Sequence, residues 1–241
     1  MKSSRLTDIE LRPDESIDWF MKGRLQLIQS KRGYRFSIDA IFLAQFVSVK
    51  KGDRVIDLGV GCGIIPLILL LTKPVGFAVG LEIQPDLAYQ TARNALINEL
   101  SHKFGVVMGD MKEWPFRPNS ADIVVCNPPY RQKDSGRINP DLQRAIARHE
   151  ILTSMDDVLK AARSLLRAKG KLVMIYPVER ISDLIIRLRD FGMEPKRMQV
   201  IYPSMTSEAK LVLVEASLGG RKGLKILPPL IDQGHRSGRD L

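Results

Sequence analysis

Short apolar runs alternate with helix-like stretches along the chain from about residue 53 onward. Apolar runs of about four to eight residues, rich in β-branched side chains and bounded by turn formers, are typical of buried strands. The strand-like runs are Arg54–Leu58, Phe77–Ile83, Gly105–Met108, Ile123–Cys126, Lys171–Tyr176, Met198–Tyr202 and Lys210–Ala216. The runs with helical spacing are Ile64–Thr72, Pro85–Leu100, Thr153–Ala168 and Glu179–Phe191. Strands that alternate with helices predict βαβ units and a mostly parallel α/β sheet.

The last two predicted strands are separated only by residues 203–209. A parallel connection needs a crossover of roughly a dozen residues or more, so this pair is expected to be antiparallel. The pattern therefore predicts a seven-stranded, mostly parallel sheet with a reversed last strand.

The two ends of the chain lack this regular pattern. Residues 1–22 are predicted to form a loose arm that ends in a short strand or turn, and residues 23–29 a strand. Ser37 is predicted to cap a helix whose apolar positions follow from Ile38. The segment 219–241 is basic and rich in Gly, Pro and Ser, so we expect a flexible tail, with possible local docking at Leu224–Leu227.

Charge is the unusual feature of the composition. The chain has 37 Lys and Arg against 27 Asp and Glu, a formal net charge of +10. Such an excess favours a polyanionic partner, which could be RNA, DNA or a membrane surface. No apolar stretch reaches the roughly 18 residues of a membrane span, and no apolar signal core follows the first residues. Cys62 and Cys126 form no disulfide framework or zinc cluster, which favours a reducing cytoplasm.

The motif N-P-P-Y at residues 127–130 follows the apolar run Ile123–Cys126, so a strand brings Asn127 to its carboxyl end. Open α/β sheets bind their ligands at that end. The two prolines make the turn stiff. Asn127 offers an acceptor and a donor, and Tyr130 offers a flat face for stacking. This pair fits a planar group with an exocyclic amine, such as adenine, although a proline-rich turn without chemistry is the alternative.

A glycine-rich turn joins the first predicted strand of the alternating region to the next helix. Gly59, Gly61 and Gly63 follow Asp57 with the spacing D-x-G-x-G-x-G. A dinucleotide-binding turn requires G-x-G-x-x-G, which these glycines do not satisfy. Glycines allow a positive φ and a close approach of the backbone to a ligand, although a mere tight turn has the same composition.

Two further carboxylates follow strands. Glu82 ends the second strand of the alternating region, where a carboxylate can accept hydrogen bonds from ribose hydroxyls. Asp110 follows the third strand and could accept from an adenine amine, although Asp is also common in turns. Asp57, Glu82, Asp110 and Asn127 are therefore expected to crowd one edge of the sheet.

The glycine turn with Asp57 resembles the cofactor loop of S-adenosylmethionine-dependent methyltransferases. Together with the other strand ends, it resembles the amino-group methyltransferases with an N-P-P-Y motif, over roughly residues 23–217. This resemblance implies a Rossmann-like class I methyltransferase fold, with S-adenosylmethionine as cofactor. It also implies contact with that cofactor for Asp57, Gly59, Gly61, Gly63, Glu82, Asp110 and Asn127. The catalytic domain would span residues 37–218.

Residues 29–44 resemble one family in particular, the bacterial tRNA adenine-N6 methyltransferases that act on a valine tRNA. The shared stretch is G-Y-R-F-S-x-D-A at residues 33–40. In that family this stretch helps to enclose the cofactor, which implies the same for Tyr34, Phe36, Ser37 and Asp39. Residues 1–36 would then form an N-terminal arm and cofactor-enclosing segment. Asp39 is equally explained as a carboxylate favoured by the helix dipole.

The resemblance implies methyl transfer to an exocyclic amine without a dedicated general base. Asn127 and the backbone carbonyl of Pro128 would accept the two amine N–H bonds, while Tyr130 would stack on the base. No metal cluster or Ser/His/Asp arrangement is visible in the sequence, and the three His residues are interpreted as structural or surface groups.

A strongly basic loop follows Tyr130, and it could meet RNA phosphates without reading sequence. Its basic residues are Arg131, Lys133, Arg137, Arg144 and Arg148. We therefore expect an RNA partner, most directly tRNA, and adenine N6 as target. The alternatives are release-factor glutamine methylation, rRNA or DNA adenine methylation, and a non-catalytic RNA-binding module. About 35 residues precede the cofactor-enclosing segment, too few for the separate helical domain of the release-factor enzymes.

Overall fold

The computed structural model describes residues 9–32, 35–128 and 154–232. A large sheet lies between two layers of helices, and a separate two-stranded hairpin precedes it. The strands are β1 Glu15–Phe20, β2 Leu25–Ser30, β3 Arg54–Leu58, β4 Phe77–Glu82, β5 Phe104–Met108, β6 Ala121–Cys126, β7 Leu166–Pro177, β8 Met193–Tyr202, β9 Leu211–Leu218, β10 Lys225–Ile226 and β11 Leu230–Ile231. The helices within these ranges are α1 Ile38–Phe46, α2 Ile64–Thr72, α3 Pro85–Ile97, α4 Met155–Leu165 and α5 Ile181–Asp190.

The order of strands across the large sheet is β10-β8-β9-β7-β6-β3-β4-β5, and β11 also pairs with β8. Strands β3 to β7 pair in parallel, whereas β9 is antiparallel to both of its neighbours, β7 and β8. The predicted mostly parallel α/β sheet with a reversed seventh strand is therefore confirmed in strands β3 to β9. The short connection after β8 allows only the antiparallel arrangement.

Each face of the sheet carries its own apolar core. One core includes α1, α2 and the hairpin, and the other includes α4 and α5. Strand β6 is buried along its whole length because it lies in the middle of the sheet with helices on both faces. This double burial explains the continuous apolar run Ile123–Cys126 within the strand. Helix α3 ends at Ile97, earlier than predicted, and a 3₁₀ turn at Val178–Arg180 precedes α5.

Part of the N-terminal arm is ordered as a hairpin, in which β1 pairs antiparallel with β2. Side chains of α3 and of its C-cap hold the hairpin: the buried Arg93 forms an ion pair with Glu15 at 2.7 Å, and the C-cap Asn98 bonds to the backbone of Gln26. The sequence indicated only a short strand before residue 23, because these partners lie more than seventy positions away along the chain.

The C-terminal segment docks on the sheet, which confirms the local docking predicted near Leu224–Leu227 and differs from the flexible tail expected for the rest of the described segment. Strands β10 and β11 pair in parallel with β8, and Leu227 and Leu230 pack against the apolar core that contains α1. The exposed edge of β8 offers unpaired backbone groups, which this segment satisfies. Residues 233–241 lie outside the described residues.

Candidate active site

The carboxyl ends of β6, β3, β4 and β5 form one continuous edge, because these strands are neighbours in that order. Leu58 is in register with both Leu81 and Cys126, and Glu82 is in register with Met108. The residues that follow each strand therefore meet at this edge. The structure brings together the ends that carry Asp57, Glu82, Asp110 and Asn127, as the strand pattern predicted.

The glycine loop, residues 59–63, leaves β3 and enters α2. Gly59, Gly61 and Gly63 all have positive φ, at 77°, 58° and 85°. The N–H of Gly61 donates to the carboxylate of Glu82 at 2.9 Å. A Cβ on Gly63 would lie only 2.8 Å from the methyl carbon of Thr91, whereas one on Gly59 would meet nothing within 4 Å. The loop is thus closed on its inner side and open at Gly59, which is exposed.

Asp57 lies at the base of this loop and is 1% exposed. Neither of its carboxylate oxygens has a hydrogen-bond partner within the described part of the chain. Burial raises the pKa of Asp57 well above its usual value, and the nearby charge of Glu82 adds to the rise. A buried carboxylate without a partner requires either a proton or a donor from outside the protein. The site can therefore hold a ligand that carries a cationic donor.

Glu82 and Asp110 are already engaged with the backbone. One Glu82 oxygen accepts from Gly61 and the other from Gln84 at 3.0 Å. Asp110 accepts from the N–H of Lys112 at 2.8 Å and so caps the short 3₁₀ helix that follows it. An ionised carboxylate has about four lone-pair sites, so each side chain keeps acceptor capacity for a ligand.

Asn127 and Pro128 are half-buried directly after β6. The neighbouring thiol of Cys126 donates to the carbonyl of Leu58 at 3.4 Å, which links the start of this turn to β3. Burial raises the pKa of Cys126 far above its usual value and that of Cys62 to about 12, so both are packing groups rather than nucleophiles. Tyr130 and the predicted basic loop 131–149 lie outside the described residues.

The proposed cofactor-enclosing segment leads into α1. Phe36 packs edge-on against Phe20 of the hairpin, with ring centroids 5.2 Å apart. Ser37 occupies the N-cap position, but its hydroxyl donates to Asp39 at 2.9 Å instead of accepting a backbone N–H. Burial raises the pKa of Asp39, the Ser37 bond opposes the rise, and Asp232 adds to it. Tyr34 lies outside the described residues.

Two residues that contact the glycine loop were missed by the sequence analysis. Thr91 and Asn94 of α3 donate to the carbonyl oxygens of Gly61 and Cys62. The available signal was a stripe of polar residues on α3 at positions that face the core. Buried polar side chains require partners, so such a stripe indicates a nearby backbone that needs hydrogen bonds.

Two negative observations apply to the described residues only. No group of three or more His, Cys, Asp or Glu side chains there could hold a metal ion. No helix there is both long and apolar enough to cross a membrane.

Curated sequence relatives share between 26% and 29% identity with the chain. A tRNA1(Val) (adenine(37)-N6)-methyltransferase of Parabacteroides distasonis is 26% identical over 200 residues, which are 83% of each chain. The enzyme of the same name from Bacteroides fragilis is 27% identical over 186 residues, covering 76% of this chain and 77% of that protein.

Solved structures share the fold at lower identity. A predicted O-methyltransferase from Agrobacterium tumefaciens has a TM-score of 0.65 at 20% identity, covering 80% of this chain and 86% of that one. A geranyl diphosphate methyltransferase in complex with S-adenosylmethionine has a TM-score of 0.54 at 13% identity, covering 74% and 84%. These likenesses confirm the Rossmann-like methyltransferase fold.

The family comparison covers the candidate site itself. The sequence profile of the methyltransferase small domain matches residues 35–180, which is more than half of the chain. The matched region includes the glycine loop, the ends of β4 and β5, and Asn127 with Pro128. The chain therefore belongs to the methyltransferase small domain family and is an S-adenosylmethionine-dependent methyltransferase.

Proposed function

We propose that this enzyme methylates the exocyclic N6 amine of an adenine in tRNA. The observation that carries the proposal is the position of Asn127 and Pro128 directly after β6, beside the glycine loop that follows β3. An acceptor for an amine thus stands next to the candidate cofactor loop. The relatives named as tRNA adenine-N6 methyltransferases, which cover most of the chain, support the same target.

The residues at this edge fit S-adenosylmethionine, which carries an amino acid, a ribose and an adenine. Asp57 and the glycine loop, which is open to solvent at Gly59, would meet the amino-acid part, while Gly61 and Gly63 give the loop its shape. The remaining acceptor sites of Glu82 would take the ribose hydroxyls, and Asp110 the adenine amine. Tyr34, Phe36, Ser37 and Asp39 would enclose the cofactor from the α1 side.

The cofactor supplies a methyl group on a positively charged sulfur. The chain must then present the adenine amine with its lone pair directed at that methyl group. The Asn127 side-chain oxygen and the Pro128 carbonyl would each accept one N–H bond of the amine. These bonds favour a tetrahedral nitrogen and free the lone pair from the ring. Tyr130 would stack on the base, and the amine proton would leave after transfer without a dedicated base.

The substrate side of the proposal depends on positive charge. Basic side chains would hold RNA phosphates, and the candidates are Arg131, Lys133, Arg137, Arg144 and Arg148, which follow the N-P-P-Y motif in the sequence, and the segment 219–241. An adenine in a tRNA loop is already partly unstacked, so it costs less to bring into the pocket than a base in a duplex. A tRNA substrate also implies a cytoplasmic location.

Transfer of a radiolabelled methyl group to four substrates tests this function. The purified full chain would be incubated with labelled S-adenosylmethionine and unmodified tRNA, rRNA, duplex DNA or a peptide-chain release factor. We expect label in tRNA alone, recovered as N6-methyladenosine after digestion. Label in rRNA, DNA or the release factor, with none in tRNA, would refute the assignment.

A further inference from the structure

Helix α3 faces the glycine loop with polar side chains that are almost completely buried. Thr91 and Asn94 are both 0% exposed, and they lie one helical turn apart on the same face. Such groups are costly to bury unless they are bonded. We propose that Thr91 and Asn94 are positioning residues that hold the glycine loop in its cofactor-binding shape, and that Asn94 also joins this loop to the β1–β2 hairpin.

The two side chains fix consecutive peptide groups of the loop. The Thr91 hydroxyl donates to the carbonyl oxygen of Gly61, and the Asn94 amide donates to that of Cys62 at 2.8 Å. Gly61 is also held at its N–H, which donates to the carboxylate of Glu82. The peptide groups before and after Gly61 are thus both held by side chains from neighbouring elements.

Packing adds to these hydrogen bonds. The Thr91 methyl carbon occupies the space that a side chain on Gly63 would need, and the ring of Phe104 lies 3.2 Å from the same point. The loop therefore rests directly on α3. A glycine-rich loop has many accessible conformations, so restraint from α3 reduces the entropy that the loop loses when it binds the cofactor.

Asn94 connects this loop to the N-terminal hairpin. Its side-chain oxygen accepts from the N–H of Ile28 at 2.7 Å, and its amide donates to the carbonyl of Ile28 at 3.2 Å. The hairpin comes before residues 35–37 and the start of α1, which carry Phe36, Ser37 and Asp39. One buried amide thus fastens both the glycine loop and the strand that precedes the segment proposed to enclose the cofactor.

Asn98, the C-cap residue of α3, provides a matched control one turn after Asn94. It accepts from the N–H of Gln26 at 2.9 Å and donates to the carbonyl of Gln26 at 2.6 Å, but it makes no hydrogen bond to the glycine loop. Loss of the Asn98 side chain therefore removes an equivalent attachment of the hairpin. If Asn94 only stabilised the fold, Asn94→Ala and Asn98→Ala would change cofactor affinity to the same extent.

The test measures S-adenosylmethionine binding by calorimetry, and urea unfolding, for the full chain and four variants. Thr91→Val removes the hydroxyl and keeps the shape, while Thr91→Ser keeps the hydroxyl. We expect Thr91→Val to weaken cofactor binding by about 5- to 10-fold and Asn94→Ala by about 10-fold or more, each through lost hydrogen bonds. The cofactor affinity of Thr91→Ser and Asn98→Ala should stay within about twofold of the wild-type affinity, although Asn98→Ala should lower the free energy of unfolding.

The proposal also predicts how the variants change the steady-state constants KM and kcat. With any accepted methyl acceptor, KM for the cofactor should rise in Thr91→Val and Asn94→Ala while kcat at saturating cofactor changes little. Equal cofactor affinity in Thr91→Val and Thr91→Ser would overturn the proposal. A loss of cofactor affinity in Asn98→Ala as large as that in Asn94→Ala would overturn it as well. If Asn94→Ala does not fold, the Thr91 pair decides alone. The binding test requires no RNA, so its outcome is independent of the proposed tRNA substrate.

Discussion

Replacement of Gly63 by alanine tests whether the glycine loop is built against α3 as the structure has it. Gly63 has a φ of 85°, a region in which an L side chain costs about 1–2 kcal/mol. Its Cβ would also lie 2.8 Å from Thr91 and 3.2 Å from Phe104, and overpacking of this kind costs roughly 1–3 kcal/mol. Thr91 cannot move away easily because its hydroxyl is bonded to Gly61. The expected loss of unfolding free energy is therefore about 2–5 kcal/mol.

Gly59→Ala is the matched control in the same loop. Its φ of 77° carries a similar backbone cost, but its Cβ would meet no atom within 4 Å. We expect a loss of only about 1–2 kcal/mol. Urea unfolding of both variants without cofactor measures the two losses. Equal losses would refute the close packing of the loop on α3.

Three further predictions concern charge. Burial keeps the pKa of Asp57 high, so the folded chain holds a proton that the unfolded chain releases near pH 4. The free energy of unfolding should therefore fall as the pH rises from about 4 toward the pKa of the folded state. Asp57→Asn should remove that slope in urea midpoints measured across this range. Glu82→Ala should weaken cofactor binding by about 1–3 kcal/mol in calorimetry, because it removes a carboxylate that also holds Gly61; unchanged affinity would contradict its role. Replacement of Arg221, Lys222 and Lys225 by Gln should weaken tRNA binding and reduce its dependence on salt, while cofactor affinity stays the same. An unchanged salt dependence of tRNA binding would exclude this segment from RNA contact.

The α/β core could be predicted from sequence because its strands are buried on both faces. Ile123–Cys126 is a continuous apolar run, and the structure places it in the middle of the sheet. The sequence could also predict that Asp57, Glu82, Asp110 and Asn127 lie together, because each lies at the end of a parallel strand or within two residues after it.

The contacts that complete the site could not be predicted in this way. Helical periodicity shows that Thr91 and Asn94 face inward, but it does not show which loop lies there. Strand β1 is held by the ion pair between Glu15 and Arg93, and these two residues lie too far apart along the chain for a local sequence pattern to indicate their contact. Strands β10 and β11 have two residues each, too few to carry an alternation pattern.

The most direct test of the central claim is single-turnover formation of N6-methyladenosine in unmodified tRNA, with saturating cofactor, by wild type and Asn127→Ala. The substitution removes an acceptor that matters most as the amine nitrogen becomes tetrahedral. We expect the rate to fall by about 10²-fold or more, roughly 3 kcal/mol, with little change in cofactor affinity. A near-normal rate of N6-methyladenosine formation in Asn127→Ala would contradict the proposed mechanism.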